Sequence, residues 1–353
     1  MSEMVLMKGN EAMSEAAIKC GCRYYFGYPI TPQNEIAEYM AARMPQAGGF
    51  SLQAESEIAA INMVLGASAA GARVFTSSSS PGISLKTEGI SYIAGSDLPC
   101  VIANVQRGGP GLGGIQPAQS DYHQATKAMG HGDMRLIVLA PNSVQEIAEH
   151  TVLAFDLADL YRTPVMILTD GALGQMMEPV DFGKLKINKP PEKTWAAAGH
   201  SDKRPPNIIN SLYLDPKDLE AAVLERYKNK YNIIDEKEVR YEEFDTEDAD
   251  IVIVSYGIVS RIAKVAVNML KDKGVKAGYF RPVTLSPFPS GRLGEIAETA
   301  KRFLVSELNM GQMTDDVRLA AGCKKPVDFF GRTGGIITTP EEIYNAAAKV
   351  LEE

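Results

Sequence analysis

Two rhythms of apolar and polar positions run along this chain. Short continuous apolar runs at residues 73–77 (RVFTS), 99–105 (PCVIANV), 136–140 (LIVLA) and 165–169 (VMILT) have the length and composition of buried strands. Between them, at 11–19, 57–70 and 144–160, apolar residues recur at helical spacing. Strands alternating with helices predict a mostly parallel sheet covered on both faces. The rhythm breaks at about residue 178. KINKPPEKTW and GHSDKRPPN are proline-rich and charged, and DPKDLEAAVLERYKNKY is a single charged helical run. The stretch is long for a linker, so it is expected to lie over a surface. From Asp250 the alternation resumes with IVIVSYG, an amphipathic helix at 258–273 stopped by Gly274, and the strand-like runs VKAGYF, RFLVSEL and PVDFFG. The expected organisation is an α/β domain at 1–180, a connector at 181–248 and a smaller α/β domain at 249–353.

Composition narrows the function classes. Length (353 residues), 45% hydrophobic and 23% charged residues fit two packed globular domains. A net charge of −8, without basic runs, argues against nucleic acid as a partner. The first residues carry early acids and lack the apolar core of a secretory signal, and no run approaches the roughly 20 apolar residues that span a bilayer, so a cytoplasmic location is expected. Cys20, Cys22, Cys100 and Cys323 lack the paired spacing of a metal or iron–sulfur site. Asp121, His123, His131 and Asp133 match no ligand spacing either, and no metal is expected on this chain.

Three segments carry candidate chemistry. In 53–82, QAESEIAAINMVLGASAAGARVFTSSSSPG, Ser56 reads as the cap of an Ala/Gly-rich helix with Glu57 in its first turn. A strand then ends in four serines, and Ser80 with Pro81 reads as the start of another helix. In 27–33, GYPITPQ, Thr31 with Pro32 reads as a further helix start, suited to an anion. In 105–122, VQRGGPGLGGIQPAQSDY, Gly109, Gly111 and Gly114 satisfy G-x-G-x-x-G. Pro110 and Pro117 argue against the helix a dinucleotide site needs there, so the better reading is an active-site loop with Arg107 at its strand end. An arginine can grip a carboxylate through two parallel hydrogen bonds.

Together these segments resemble the 2-oxoacid:ferredoxin oxidoreductases. An acid opening a small-residue helix, then a strand and T-S-x-x-x-P-G, is similar to the pyrimidine-binding domain of thiamine-diphosphate enzymes. Y-P-I-T-P is a mark of the ferredoxin-linked family. RPVTLSPFP and ELNMGQ are similar to its second domain, which is like the carboxyl-terminal domain of transketolase, and are read as interdomain packing. YPITPQNEI, SSSSPGISLK, QRGGPGLG and DGALGQMMEPV look most like the branched-chain, 2-oxoisovalerate type, with the 2-oxoglutarate type close behind.

The resemblance implies an α-type subunit, a pyrimidine-binding-type parallel-sheet domain followed by a smaller transketolase C-terminal-like domain. It implies that Glu57 hydrogen-bonds the aminopyrimidine of thiamine diphosphate, with Glu55 the alternative two residues away. Tyr28, Pro29, Ser79 and Ser80 would line that cofactor, and Thr31 and Arg107 would hold the 2-oxoacid carboxylate. No G-D-G motif for Mg²⁺ and diphosphate occurs, nor a ferredoxin-type cysteine run. The diphosphate and Mg²⁺ are therefore expected on a β-type partner, and iron–sulfur clusters on γ-type and ferredoxin-like partners. The implied reaction converts a branched-chain 2-oxoacid (3-methyl-2-oxobutanoate), coenzyme A and oxidised ferredoxin to acyl-CoA, CO₂ and reduced ferredoxin. The same chemistry on 2-oxoglutarate or pyruvate, a nucleotide-dependent dehydrogenase, and a non-catalytic scaffold subunit are the alternatives.

Overall fold

The computed structural model describes residues 4–200 and 204–352. The chain begins β1 (Val5–Lys8), α1 (Gly9–Lys19), β2 (Tyr24–Gly27), α2 (Asn34–Arg43), β3 (Phe50–Gln53), α3 (Glu57–Ala69), β4 (Val74–Ser78) and α4 (Ser80–Gly95). It continues β5 (Cys100–Gln106), α5 (Tyr122–Thr126), β6 (Ile137–Leu139), α6 (Val144–Tyr161), β7 (Pro164–Asp170), α7 (Gly171–Gln175) and β8 (Met177–Val180). Helices α8 (Pro216–Arg226) and α9 (Asn232–Lys237) follow, then β9 (Tyr241–Phe244), β10 (Ile251–Val254), α10 (Gly257–Asp272), β11 (Ala277–Pro282) and β12 (Thr284–Ser286). The chain closes with α11 (Ser290–Thr299), β13 (Phe303–Glu307), α12 (Gln312–Ala320), β14 (Val327–Gly331) and α13 (Pro340–Glu352).

The larger sheet has seven strands in the order β12-β6-β7-β5-β4-β2-β3. All its pairs are parallel except β12 against β6. Helices α1 and α6 pack on one face and α3 and α4 on the other. Strands β4, β5 and β7 are buried throughout, as their unbroken apolar runs require. The Ala/Gly content of α3 and α4 is used for close approach. A Cβ on Gly89 would stand 2.5 Å from Cγ2 of Ile61. Strands β2 and β3 lie outside the strands read from the sequence. Each has four residues, and β3 is a half-exposed edge, so neither carries a continuous apolar run.

The smaller sheet runs β14-β13-β10-β11-β9, parallel except for β9. Its edge strand β9 comes from the stretch read as connector. The earlier part of that stretch lies over the first domain: Arg162 stacks over the ring of Trp195 at 4.5 Å, and Lys193 pairs with Asp159 at 2.7 Å. The two domains share their cores. One buried cluster holds Met13 and Phe155 with Val267 and Ile343, and the other holds Ile61 and Ile90 with Leu293 and Val317.

The two segments read as interdomain packing do pack there. After Arg281, β12 crosses to the larger sheet and pairs with β6. The Arg281 guanidinium is 1% exposed and bridges Glu146 of α6, Glu242 of β9 and the Ala140 carbonyl. The ELNMGQ segment holds the far leg of the glycine loop. Asn309 donates to the Gln119 carbonyl at 2.7 Å, Gln312 to the Ser120 carbonyl at 2.8 Å, and the His123 amide to Gln312 at 2.8 Å.

Arg281→Met should cost about 1.5–3 kcal/mol, because it takes the charge-assisted hydrogen bonds of Arg281 from the half-buried Glu146. Burial alone would raise the Glu146 carboxyl, but Arg281 overrides it and holds the group below its usual value. The lost increment should therefore be present above the usual carboxylate range and vanish as pH falls through the lowered Glu146 value. Urea unfolding of both proteins across pH measures it, and a loss under about 1 kcal/mol at neutral pH would remove Arg281 as the interdomain tie.

Candidate functional site

The sequence-selected residues converge at the carboxyl ends of four neighbouring strands, β5, β4, β2 and β3, where ligands of parallel α/β sheets bind. Ser56 caps α3 as expected, its hydroxyl accepting from the Ala59 amide at 3.1 Å. Glu57 in the next position is 6% exposed. Its carboxyl lies against the first turn of α4, where a Cβ on Gly82 would stand 2.6 Å from Glu57 Oε1 and 2.1 Å from Ser78 Oγ. Among the described residues no side chain or backbone amide is seen donating a hydrogen bond to that carboxyl. Glu55 is exposed, two residues away.

Two expected helix caps are displaced. α4 is capped by Ser79, not Ser80: Ser79 has the extended backbone a cap needs, while Ser80 has φ +22°. The Ser80 hydroxyl is already engaged, donating to Asp121 at 2.6 Å and accepting from the Arg107 amide at 3.1 Å. The hydroxyls of Ser78 and Ser79 are buried without partners. α2 is capped by Gln33, not Thr31, because the Gln33 amide first closes a turn onto the Ile30 carbonyl at 3.1 Å. Thr31 lies in that turn, its hydroxyl accepting from Asn34 at 3.3 Å. Tyr28 places its carbonyl 3.2 Å from the Gln33 amide group, and Pro29 lines a cleft with Tyr25, Gly27, Asn34, Ser51 and Gln53.

Arg107 does meet Thr31. It leaves the end of β5 buried, and its guanidinium donates to the Thr31 carbonyl at 3.0 Å and the Leu112 carbonyl at 3.3 Å. Its Nε is buried without a partner. No helix opens behind Gly109, Gly111 and Gly114, so the loop lacks the helix N-terminus of a dinucleotide site. The loop is instead braced from below. Asp121 accepts from Asn104 at 2.9 Å as well as from Ser80, and burial pushes its carboxyl up against those hydrogen bonds. Leu112 at its tip is 85% exposed, and Ile115 is also exposed.

Sequence reasoning passed over Lys86. It is 0% exposed, and its Nζ donates to Thr76 Oγ1 at 2.7 Å and the Ser77 carbonyl at 2.9 Å. Burial pulls its amine down to about 7, while the Glu57 charge acts the other way. The signal was present: Gly82, Ile83, Lys86, Gly89, Ile90 and Ile93 form one helical stripe, which puts a lysine on the buried face of α4. Gln33 was also passed over. Its buried side chain accepts from Ser77 Oγ at 2.5 Å, and that hydroxyl also meets Tyr25 at 2.8 Å.

Among the described residues no group of three His, Cys, Asp or Glu side chains could hold a metal ion, and no helix is long and apolar enough to cross a membrane. A family model described as "Pyruvate flavodoxin/ferredoxin oxidoreductase, thiamine diP-bdg" matches residues 15–251, and "Pyruvate:ferredoxin oxidoreductase core domain II" matches 249–343. The chain is 48% identical to ketoisovalerate oxidoreductase subunit VorB of Methanothermobacter marburgensis, over 99% of this chain and 98% of that one. It is 38% identical to 2-oxoglutarate synthase subunit KorA of Methanothermobacter thermautotrophicus, over 99% and 100%. A 2-oxoglutarate:ferredoxin oxidoreductase from Magnetococcus marinus, solved with 2-oxoglutarate, coenzyme A and succinyl-CoA bound, superposes with a TM-score of 0.88 at 29% identity, over 99% of this chain and 66% of that chain. The chain therefore belongs to the pyruvate flavodoxin/ferredoxin oxidoreductase family, as an α-type subunit of a multi-subunit 2-oxoacid:ferredoxin oxidoreductase with a thiamine-diphosphate-binding domain.

Proposed function

We propose that this subunit supplies the aminopyrimidine half of a thiamine-diphosphate site, in a cytoplasmic complex that oxidatively decarboxylates a branched-chain 2-oxoacid, 3-methyl-2-oxobutanoate, with coenzyme A and ferredoxin. The observation that carries it is the Glu57 carboxyl, buried against Gly82 with no hydrogen-bond donor among the described residues. A ring nitrogen that carries a proton is the donor such a carboxyl lacks. The unpartnered hydroxyls of Ser78 and Ser79 and the cleft at Pro29 fit a polar, planar ring at the same strand ends. The substrate reading rests on the higher identity to the ketoisovalerate subunit than to the 2-oxoglutarate subunit.

Thiamine diphosphate supplies the electron sink for losing CO₂ next to a carbonyl. Glu57 would hold the proton at the aminopyrimidine nitrogen. Thr31 and Arg107 would orient the substrate carboxylate, with the glycine loop folded over them to exclude water. Tyr28, Pro29, Ser79 and Ser80 would wall the ring, Ser80 by fixing Arg107 and Asp121. A β-type subunit carrying Mg²⁺ and the diphosphate would complete the site, with γ-type and ferredoxin-like subunits for coenzyme A and electrons. The open rim suits such a partner. Exposed Leu112 and Ile115 lie on the loop that Gly334 and Gly335 touch, with Met310, Ile336 and Ile337 exposed nearby in sequence to its braces.

In the assembled complex Glu57→Gln should slow proton–deuterium exchange at the thiazolium carbon and turnover together, by about 10²–10⁴-fold, with assembly intact. Glu55→Gln should be mild. Slowing only in the Glu55 variant would move the role by two residues, and slowing in neither would leave the subunit a scaffold.

Arg107→Ala should raise KM for the 2-oxoacid through loss of a contact of about 1.5–3 kcal/mol, and Arg107→Lys should recover little of it. An unchanged KM would take Arg107 out of the substrate site. Comparing kcat/KM on 3-methyl-2-oxobutanoate, 2-oxoglutarate and pyruvate with a viologen acceptor decides the substrate.

A further inference from the structure

We propose that Lys86 is a positioning residue for Glu57: its buried ammonium, held by Thr76 and Ser77 one helical turn below Gly82, is the counter-charge of the Glu57 carboxylate. The proposal rests on the reading of Glu57 as the cofactor's proton partner and names what sustains that residue's charge.

The placement follows from helix geometry. Gly82 and Lys86 are four residues apart on α4 and so lie on one face, one turn apart. Glu57 reaches that face at Gly82, and Lys86, one turn further along it, is fully buried and carries its amine to the end of β4 at Thr76 and Ser77. The anchor below is rigid. Thr76 accepts from Lys86 at 2.7 Å and passes its own proton to the Phe26 carbonyl at 2.6 Å, which ties the amine to β4 and β2, the two strands whose ends form the site. An ammonium has three donors, and two acceptors fill only two of them. Among the described residues Lys86 forms no salt bridge, and the Glu57 charge acts on it from beyond contact.

A closed ion pair would occupy the carboxyl oxygens that a ligand needs. A cation set back from the carboxyl leaves those oxygens free while still favouring their negative charge, because attraction through a low-dielectric interior persists beyond contact distance. The titratable groups facing Lys86 are Glu57 from α3 and the Cys100 thiol from β5, and burial raises that thiol so that it stays neutral. The other neighbours are the Thr76 hydroxyl and the Ser77 carbonyl. Burying a lone amine is costly, and an apolar residue would serve the fold better. A leucine or methionine on this stripe would continue the apolar face that Ile83 and Ile90 begin.

The test separates this coupling from the role of Glu57. Lysine ε-methylene groups labelled with carbon-13 in the full chain, without cofactor, are followed by NMR across pH. One signal should titrate near 7, far below the surface lysines, and be missing in Lys86→Met. In Glu57→Gln that titration should move to lower pH by about one unit or more, since the charge that favours the ammonium is gone. An unmoved midpoint overturns the proposal, whatever Glu57 does with the cofactor. By linkage, wild-type stability should rise with pH above about 7, where the folded amine has lost a proton the unfolded one keeps, and Lys86→Met should flatten that rise.

In the complex, Lys86→Met should lower kcat about 10-fold or more with KM unchanged, and Lys86→Arg, which keeps the charge, should restore part of it. Wild-type kcat in a folded Lys86→Met complex overturns the proposal. A midpoint that moves as stated, with Glu57→Gln leaving thiazolium exchange untouched, keeps the coupling and rejects only the cofactor role of Glu57.

Discussion

The site depends on the missing side chain at Gly82. The first turn of α4 passes so close to Ser78 and Glu57 that even a methyl group would stand 2.1 Å from one and 2.6 Å from the other. With hydrogen there instead, the N-terminal turn of one helix, the end of β4 and the carboxyl of a second helix meet in a space too small for water-filled separation. That closeness sets Glu57 beside a row of serine hydroxyls, two of them unpartnered among the described residues. Proline at the next position upstream fixes the helix start, so the approach is set by backbone and not by side-chain packing.

The second domain then acts on the site from a distance. Its ELNMGQ segment encloses Gln119, which exchanges hydrogen bonds with Leu308, Asn309 and Tyr256 and leaves none of its amide groups for the loop to use freely. Asp121, two residues on, ties Ser80 and Asn104 to the same leg. The glycine loop is thus clamped at its far leg and pinned at its tip by Arg107, with the Leu112 and Ile115 side chains facing outward. Arg107 at the near leg is kept in register with Thr31.

Much of this was legible in the sequence. The buried strands β4, β5 and β7 announce themselves as continuous apolar runs, and Ser56 and Glu57 carry a cap signature that the structure keeps. The strands β2 and β3 did not, since each has only four residues and β3 is a half-exposed edge, which leaves little periodicity to read. The caps at Ser79 and Gln33 were missed for a related reason: several polar residues in a row can each cap a helix, and tertiary contacts to Asp121 and Ser77 choose among them. Lys86 was hidden by a habit of reading, which counts a lysine as solvated even where the helical stripe places it inside.

Polar groups left without partners mark where a folded chain is unfinished. Most buried polar atoms in proteins are satisfied, so orphaned atoms gathered at one place need an explanation that scattered ones do not. Here Ser78 Oγ, Ser79 Oγ and Arg107 Nε lack partners among the described residues, and the Glu57 carboxyl meets the same helix turn as Ser78. All lie at the ends of β4 and β5 or on the helix turn facing them. The fold has already spent burial on these groups, and a chain that needed them only for packing would do better with alanine, valine and leucine. The charge balance points the same way. The site holds Lys86 and Arg107 and the acids Glu57 and Asp121, and among the described residues no group of three His, Cys, Asp or Glu side chains could hold a metal ion. Its donors and acceptors match a planar, hydrogen-bonding ring and a carboxylate, whereas a diphosphate with its metal needs oxygen ligands from elsewhere. On the reading proposed above, a cofactor with two chemically different ends would be divided between two chains, with assembly of the complex completing the site.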